Sequence, residues 1–313
     1  MKVKVFIDGS SGTTGLRIAD RLAERPEIEL LSISAEGRKD VHERAKVINS
    51  ADLAFLCLPD AASKEVLPLL RPDVKVLDTS TAFRTDAAWD YGFPELKGQK
   101  EKIKNSDRVA VPGCYASGFI SIARPLVELG LALKDYPFSC TGISGYSGGG
   151  KKMIAEYESA DRPAHSKLDA PKSYGLGLAH KHLPEMKEIS GLAHTPMFVP
   201  VVCDYYCGMQ VLVPLDLTVA GTTAEAVAAG LADYYKDAAT VKVHALNEPL
   251  PENGLYSNAM AGTDRMELYL TVNAAGDQMM LVSLFDNLGK GSSGAAVQCM
   301  NLMLGLPETE GLE

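Results

Sequence analysis

Hydrophobic and polar positions along this chain repeat with two periods, and the alternation between them sets out its plan. Val3 to Asp8 is an apolar run long enough for a buried strand, and Leu16, Ile18, Ala19, Leu22 and Ala23 then recur at helical spacing. Glu29 to Ile33, Asp52 to Leu58 and Val74 to Asp78 read as further strands, with a helix over Ala61 to Leu70 opened by the turn at Pro59-Asp60. Val109 to Val111 is another short strand, and Phe119, Ile120, Ile122, Ala123, Leu126 and Val127 follow at helical spacing. Strands alternating with helices predict a doubly wound, mostly parallel Rossmann-like sheet over residues 1–113. Beyond Gly130 the rhythm changes. Phe138 to Ile143, Val199 to Val202, Met209 to Leu217, Val241 to Val243, Glu267 to Val272 and Met279 to Phe285 read as strands. A helix from Met153 to Ser159 and one near Ala224 to Tyr235 separate them, which predicts an α+β second domain over 114–285 with a mixed, largely antiparallel sheet. The stripe Ala295, Val297, Met300 and Leu304 predicts a closing helix, in a segment 286–313 that folds back onto the first domain.

Two features carry chemistry on this frame. The first is Gly9-Ser-Ser-Gly12-Thr-Thr-Gly15, directly between the first strand and the first helix. Glycines crowding a helix start let backbone N–H groups cradle a pyrophosphate, so Gly9, Ser10, Gly12, Thr13, Thr14 and Gly15 are the expected dinucleotide site. The second strand ends in Ser34-Ala35 without a carboxylate for a ribose hydroxyl, and Arg38 and Lys39 follow; a 2′-phosphate fits there, so NADP is favoured over NAD. Leu58, Pro59 and Ser80 close strands at the same sheet end and join the cofactor set. The second feature is Pro112-Gly113-Cys114, which puts a thiol where a strand turns into a helix. Unpaired N–H groups and the helix dipole favour the thiolate there, a nucleophile for acyl chemistry.

Other stretches change the picture less. Gly145 to Lys152 nearly fits a phosphate loop, but Lys152 stands where a metal-binding Ser or Thr belongs, so it reads as a glycine loop touching substrate or cofactor. His180-Lys-His182-Leu-Pro-Glu185 supplies an acid or base for the cysteine. His165, His194 and His244 receive no role, and Cys203 and Cys207 read as structural, with no metal site. Composition is ordinary for a soluble α/β protein, 46% hydrophobic and 23% charged. A net charge of −9 argues against nucleic acid or an anionic membrane as partner, while leaving a small anionic substrate possible. No apolar run reaches bilayer length, the first residues read as a strand rather than a signal peptide, and six cysteines without a paired framework fit a reducing cytoplasm.

In this order, Asp8 to Gly15, Phe55 to Asp60, Tyr91-Gly-Phe-Pro-Glu95, Pro112 to Tyr115, Ser144 to Gly150, His180 to Glu185 and Asp286 to Gly291 resemble the shorter subtype of the N-acetyl-γ-glutamyl-phosphate reductases. Two departures are Val111, where the pattern has asparagine before Pro-Gly-Cys, and Tyr206-Cys-Gly-Met209, where longer members place an arginine. The resemblance implies NADPH-dependent reduction of an acyl phosphate through a Cys114 thioester, with phosphate released. It implies His182 as acid/base oriented by Glu185, with His180 as the alternative. Ser147, Gly148, Asn287 and Lys290 would approach the cofactor; Arg84, Ser117, Ser144 and Lys181 would meet the substrate, Arg84 and Lys181 being candidates for its carboxylate. A homodimer or homotetramer is expected. Aspartate-semialdehyde dehydrogenase, a non-catalytic NADP sensor and a phosphoryl-transfer enzyme are the rival readings.

Overall fold

The computed structural model describes residues 2–10 and 12–313, so Ser11 of the glycine turn lies outside the described residues. The chain divides into two compact units. One comprises Met1–Gly113 and Ser292–Leu312; the other comprises Cys114–Gly291 with Glu313.

The first unit is built on strands β1 (Val3–Asp8), β2 (Ile28–Leu31), β3 (Leu53–Leu56), β4 (Lys75–Asp78), β5 (Asp90–Tyr91) and β6 (Arg108–Ala110). Its helices are α1 (Thr13–Ala23), α2 (Val41–Asn49), α3 (Asp60–Val66) and α4 (Gln99–Asn105). The strands lie in the order β2-β1-β3-β4-β6-β5, and every pairing is parallel. Strand order reverses between β1 and β3, and the glycine turn leaves β1 at that switch point. The period of two sorts side chains between the faces. Val5, Ile7, Leu53 and Phe55 pack with Ile18 and Leu22, while Phe6, Ala54, Leu56 and Val76 pack with Ala45 and Ile48 of α2.

Several boundaries differ from the sequence reading. The second strand is Ile28–Leu31, ending two residues earlier than expected, where its pairing with β1 stops. The helix expected to Leu70 ends at Val66 and tightens into a 3₁₀ turn over Leu67–Leu69, where Pro68 has no N–H to continue it. Pro59 of the expected turn caps that helix, and the Asp60 carboxylate accepts from Thr81 N and Thr81 Oγ1, at 3.0 and 2.6 Å.

The second unit carries α5 (Cys114–Glu128), β7 (Ser139–Gly145), α6 (Gly150–Tyr157), β8 (Lys172–Ser173), α7 (Leu183–Ser190), β9 (Met197–Cys203) and β10 (Met209–Asp216). It continues with α8 (Leu217–Ala220), α9 (Ala224–Tyr234), β11 (Val241–Val243), β12 (Met266–Val272) and β13 (Gln278–Phe285). The sheet order is β11-β12-β13-β10-β7-β9-β8, with β11–β12 and β7–β9 parallel and the remaining neighbours antiparallel. Helix α5 lies on this sheet at Gly118, where a Cβ would stand 2.6 Å from Val211 and 2.9 Å from Phe285. The α6 helix begins at Gly150 behind a 3₁₀ turn, three residues before the expected start.

The closing helix α10 (Gly294–Met303) belongs to the first unit, whose core takes Ala295, Ala296, Val297, Cys299 and Met300. Residues 286–291, expected with this helix, fall in the second unit because their hydrogen bonds run to the 208 and 262 segments.

Candidate functional site

In the first unit the glycine turn is dictated by close approach. A Cβ on Gly9 would stand 2.7 Å from the Cys57 carbonyl oxygen and 2.9 Å from the Leu58 side chain, and Gly9 has φ of +94°. A Cβ on Gly15 would lie 2.4 Å from the Gly9 oxygen, and one on Gly12 3.3 Å from it. Helix α1 has Gly12 at its cap, with no side-chain cap hydrogen bond among the described residues, and its first turn carries no acidic residue. An anion fits this end by hydrogen bonding and by the dipole. Thr14 Oγ1 is hydrogen-bonded to Ser292 Oγ at 3.1 Å.

Beneath the turn, the buried Asp8 carboxylate meets Arg44 of α2: Nη2 donates to Oδ2 at 2.7 Å and Nε reaches both oxygens, at 3.2 and 3.0 Å. This ion pair offsets a negative charge directly behind an anion cradle. Sequence reasoning missed it, since an arginine inside a short helical stripe carries no signal of its partner. Ser34 Oγ accepts from Gly37 N at 3.0 Å and holds the turn that presents Arg38; Ser34, Arg38 and Lys39 are all exposed. Asp40 is the cap of α2, accepting from His42 N and Glu43 N. Ser80 donates from N and Oγ to Asp78 Oδ1, at 2.9 and 2.6 Å. Arg84 is buried, with Nε donating to the Val111 carbonyl at 2.9 Å and Nη2 to the Thr79 carbonyl at 3.0 Å. The residues of this unit fit a dinucleotide.

In the second unit Cys114 is the first residue of α5, half-buried and outside any disulfide. Tyr115 beside it is buried, its ring lying where Gly142 has no side chain; a Cβ there would be 2.4 Å from the ring. Tyr115 Oη is hydrogen-bonded to Ser144 Oγ at 2.7 Å. Burial, followed by the charges of Tyr174 and Cys114, holds the Tyr115 phenol well above its usual value. Burial above all also pushes Tyr174 up to about 12, so both phenols keep their protons near neutrality.

His180 Nδ1 accepts from His182 N at 3.1 Å, which puts the proton of the neutral ring on Nε2. Its ring stands edge-on to Phe198 at 5.2 Å, to Tyr115 at 5.9 Å and to His182 at 4.7 Å. Burial, aided by the Lys181 charge, pushes His180 down to about 4. His182 caps α7, and its carbonyl accepts from Met186 N at 3.0 Å. His182 and Glu185 are both buried at the start of that helix, three residues apart and so on one side, whereas Lys181 is exposed. Ser117, one turn beyond Cys114, is buried. Tyr115 and Tyr174 were not assigned roles from sequence. Tyr115 lay inside a recognised motif, but Tyr174 lies in an exposed stretch with no period to mark it.

The glycine loop is not a nucleoside-triphosphate cradle. Gly145, Tyr146 and Ser147 donate their N–H groups to the carbonyls of Gly208, Tyr205 and Tyr206, at 3.0, 2.9 and 3.0 Å. Asn287 staples the two segments, Nδ2 donating to Ser147 Oγ at 3.0 Å and Oδ1 accepting from Gly208 N at 2.8 Å. Ser147, Asn287 and Lys290 are buried and Gly148 is exposed. Among the described residues no group of three His, Cys, Asp or Glu side chains is placed to hold a metal.

Residues 4–106 match the family model described as semialdehyde dehydrogenase, NAD binding domain, and residues 114–287 match semialdehyde dehydrogenase, dimerisation domain. The chain is 46% identical to the N-acetyl-γ-glutamyl-phosphate reductase of Trichormus variabilis, covering 99% of both chains. It is 46% identical to that of Burkholderia cenocepacia over 96% of this chain and 97% of the other. Aspartate semialdehyde dehydrogenase from Francisella tularensis superimposes with a TM-score of 0.72 at 15% identity, over 96% of this chain and all (100%) of that one. The Vibrio cholerae aspartate semialdehyde dehydrogenase II gives 0.68 at 17% identity, over 97% and 99%. These last two likenesses speak to the fold. With the relatives' identity running through both units, the chain belongs to the N-acetyl-γ-glutamyl-phosphate reductase family of the semialdehyde dehydrogenases.

Proposed function

We propose that the protein reduces N-acetyl-γ-glutamyl phosphate to N-acetylglutamate semialdehyde, with NADPH as reductant and Cys114 as nucleophile. The observation that carries this reading is the half-buried thiol at the first position of α5, in a unit where a neutral histidine and two protonated phenols stand together. The thiolate attacks the acyl carbon; the new C–S bond forms as the C–O bond to phosphate breaks, and phosphate leaves. NADPH, when bound, would supply the hydride to the thioester carbonyl carbon, after which the C–S bond breaks, releasing the semialdehyde and returning the Cys114 thiolate. Gly9, Ser10, Gly12, Thr13, Thr14 and Gly15 hold its pyrophosphate, and Ser34 and Arg38 meet the 2′-phosphate. Leu58, Pro59, Ser80, Gly148 and the Asn287–Lys290 segment complete the cofactor set, with Ser147 acting through Asn287.

A histidine at about 4 is a poor base near neutrality, so His180 serves as a neutral Nε2–H donor and His182, positioned by Glu185, moves the proton. Backbone N–H groups at the start of α5 face the developing oxyanion. Two nitrogens of Arg84 are engaged with main-chain carbonyls, so Lys181 takes the substrate carboxylate, and Ser117 and Ser144 shape its pocket. The active form is a homodimer or homotetramer in the cytoplasm. The dimerisation-domain model over 114–287 supports the assembly. Among the described residues no helix is long and apolar enough to cross a membrane.

The test is phosphate-dependent reduction of NADP⁺ by N-acetylglutamate semialdehyde, with wild type beside Cys114→Ala. Turnover in the wild type that disappears in the variant, while NADP⁺ binding persists, supports the reading. Wild type that binds NADP⁺ yet turns over only aspartate semialdehyde, or neither aldehyde, overturns it.

A further inference from the structure

We propose that the turn at Gly289–Ser293 is a positioning device for the Cys114 thiol, with Gly291 as its point of contact and Asp286 as its anchor. The inference rests on the thioester reading above and adds a residue that acts through the nucleophile. The turn is wound one residue wider than an α-helix: Gly291 N donates to the Asp286 carbonyl, five residues back, at 2.9 Å. Such single wide turns cost hydrogen-bond geometry and collect at functional sites.

Here the widening brings the Gly291 backbone against the nucleophile. A Cβ on Gly291 would lie 3.0 Å from Cys114 Cβ, 3.1 Å from the Asp286 carbonyl oxygen and 3.1 Å from Phe285 Cε2. Carbon atoms rest at about 3.5–4.0 Å, so an added methyl group would push its neighbours back by a few tenths of an ångström. The sulfur hangs directly on Cys114 Cβ, and whatever moves that carbon re-aims Sγ.

Both sides of the contact are tied to neighbouring segments. Behind Gly291, Asp286 Oδ1 accepts from Leu288 N at 2.8 Å and Oδ2 from Gly262 N at 2.7 Å. Gly289 is wedged, since a Cβ there would stand 2.0 Å from the Thr263 carbonyl oxygen. Behind Cys114, the Gly118 carbonyl accepts from Ser283 Oγ at 3.0 Å and from Ser121 Oγ at 2.8 Å, which ties the first turns of α5 to the sheet. Phe285 fills the space between, its ring reached both from Gly118 and from Gly291. Cys114 Cβ is therefore backed by the Gly291 backbone, and the first turns of α5 that carry it are tied to the sheet, which sets the point from which Sγ projects.

Gly291→Ala tests this through the pH profile of Cys114 alkylation by iodoacetamide, read by mass spectrometry of the Cys114 peptide, together with kcat and KM. The expected result is a profile midpoint raised by about half a pH unit or more, and kcat lowered about 3- to 30-fold with KM within about threefold, as for a displacement of a few tenths of an ångström. Asp286→Asn adds no volume but loosens the anchor; it should move both readings the same way by less, and it decides the matter if Gly291→Ala does not fold. A lower melting temperature with profile and kcat both within twofold of wild type means plain packing and overturns the proposal. Alkylation needs no substrate. If wild type turns over no acyl phosphate but the profile still shifts, the substrate reading fails and the positioning stands. If wild type is active and the profile stays put, the positioning alone fails.

Discussion

Two histidine sites in the second unit show how differently one residue type is used. His180 gives its Nδ1 to a backbone N–H and is walled by Phe198, Tyr115 and the His182 ring, so burial keeps it neutral. His244 lies between carboxylates, Nδ1 2.9 Å from Glu248 Oε1 and Nε2 2.9 Å from Glu267 Oε2, with its ring stacked 4.0 Å from Tyr269. Tyr269 Oη donates to the same Glu267 oxygen at 2.7 Å, and Ala245 N donates to Glu248. That second site closes on itself, joining the segment after β11 to β12. A ring surrounded by desolvating walls has a tuned affinity for a proton and nothing to do with it except chemistry. A ring whose nitrogens are both occupied by carboxylates is a fastener.

The largest way to break this contrast is through catalysis. His182→Asn should lower kcat about 10²- to 10⁴-fold, whereas His244→Asn should leave kcat within about twofold. Comparable losses in both variants would erase the distinction. Next comes stability. His244→Asn removes the group joining Glu248 and Glu267 and should lower the melting temperature by about 2–8 °C, read by calorimetry.

A smaller effect separates the sites by pH. His180 binds protons in the unfolded chain below its ordinary 6.5 but in the folded protein only near 4, so stability drains as pH falls through that window. The melting temperature should therefore decline more steeply from pH 6.5 to 4 in wild type than in His180→Gln; equal slopes would remove the claim that the ring is neutral. The smallest effect belongs to Glu267. Burial works to raise its carboxyl, but the hydrogen bonds from Tyr269 and His244 prevail and hold it below its ordinary 4.5. Its contribution is complete above that value and is lost as pH falls further. Glu267→Gln should flatten the melting curve only below about pH 4.5, and a change near neutrality would contradict the assignment.

What sequence reading reached, and what it could not, follows the same physics. The β1–glycine turn–α1 unit was legible because two clear periods meet at residues that only close backbone contact explains. Cys114 at a helix start was legible for the same reason. Helix α2 was not, because its inward face carries Arg44, whose burial depends on Asp8, 36 positions earlier and outside any local pattern. The capping role of Asp40 at the start of that helix was equally invisible. Gly145 to Lys152 read as a glycine loop touching substrate or cofactor, since glycines do not announce that the N–H groups around them are bonded to a distant segment, as Ser147 N is to the Tyr206 carbonyl. Tyr174 and the contact of Gly291 with Cys114 are products of tertiary packing and have no linear signature.

The division of the chain also bears on how the protein comes into being. The cofactor-binding unit takes residues Met1–Gly113 and then waits for Ser292–Leu312, whose helix supplies Ala295 through Met303 to the same core as Val5, Ile7 and Phe55. During synthesis the intervening Cys114–Gly291 stretch can finish its sheet first, while the opening parallel strands stand with one face bare. The last-made helix is thus the one that shuts the first-made core, and loss of α10 would cost the nucleotide-binding half long before it touched the thiol-bearing half.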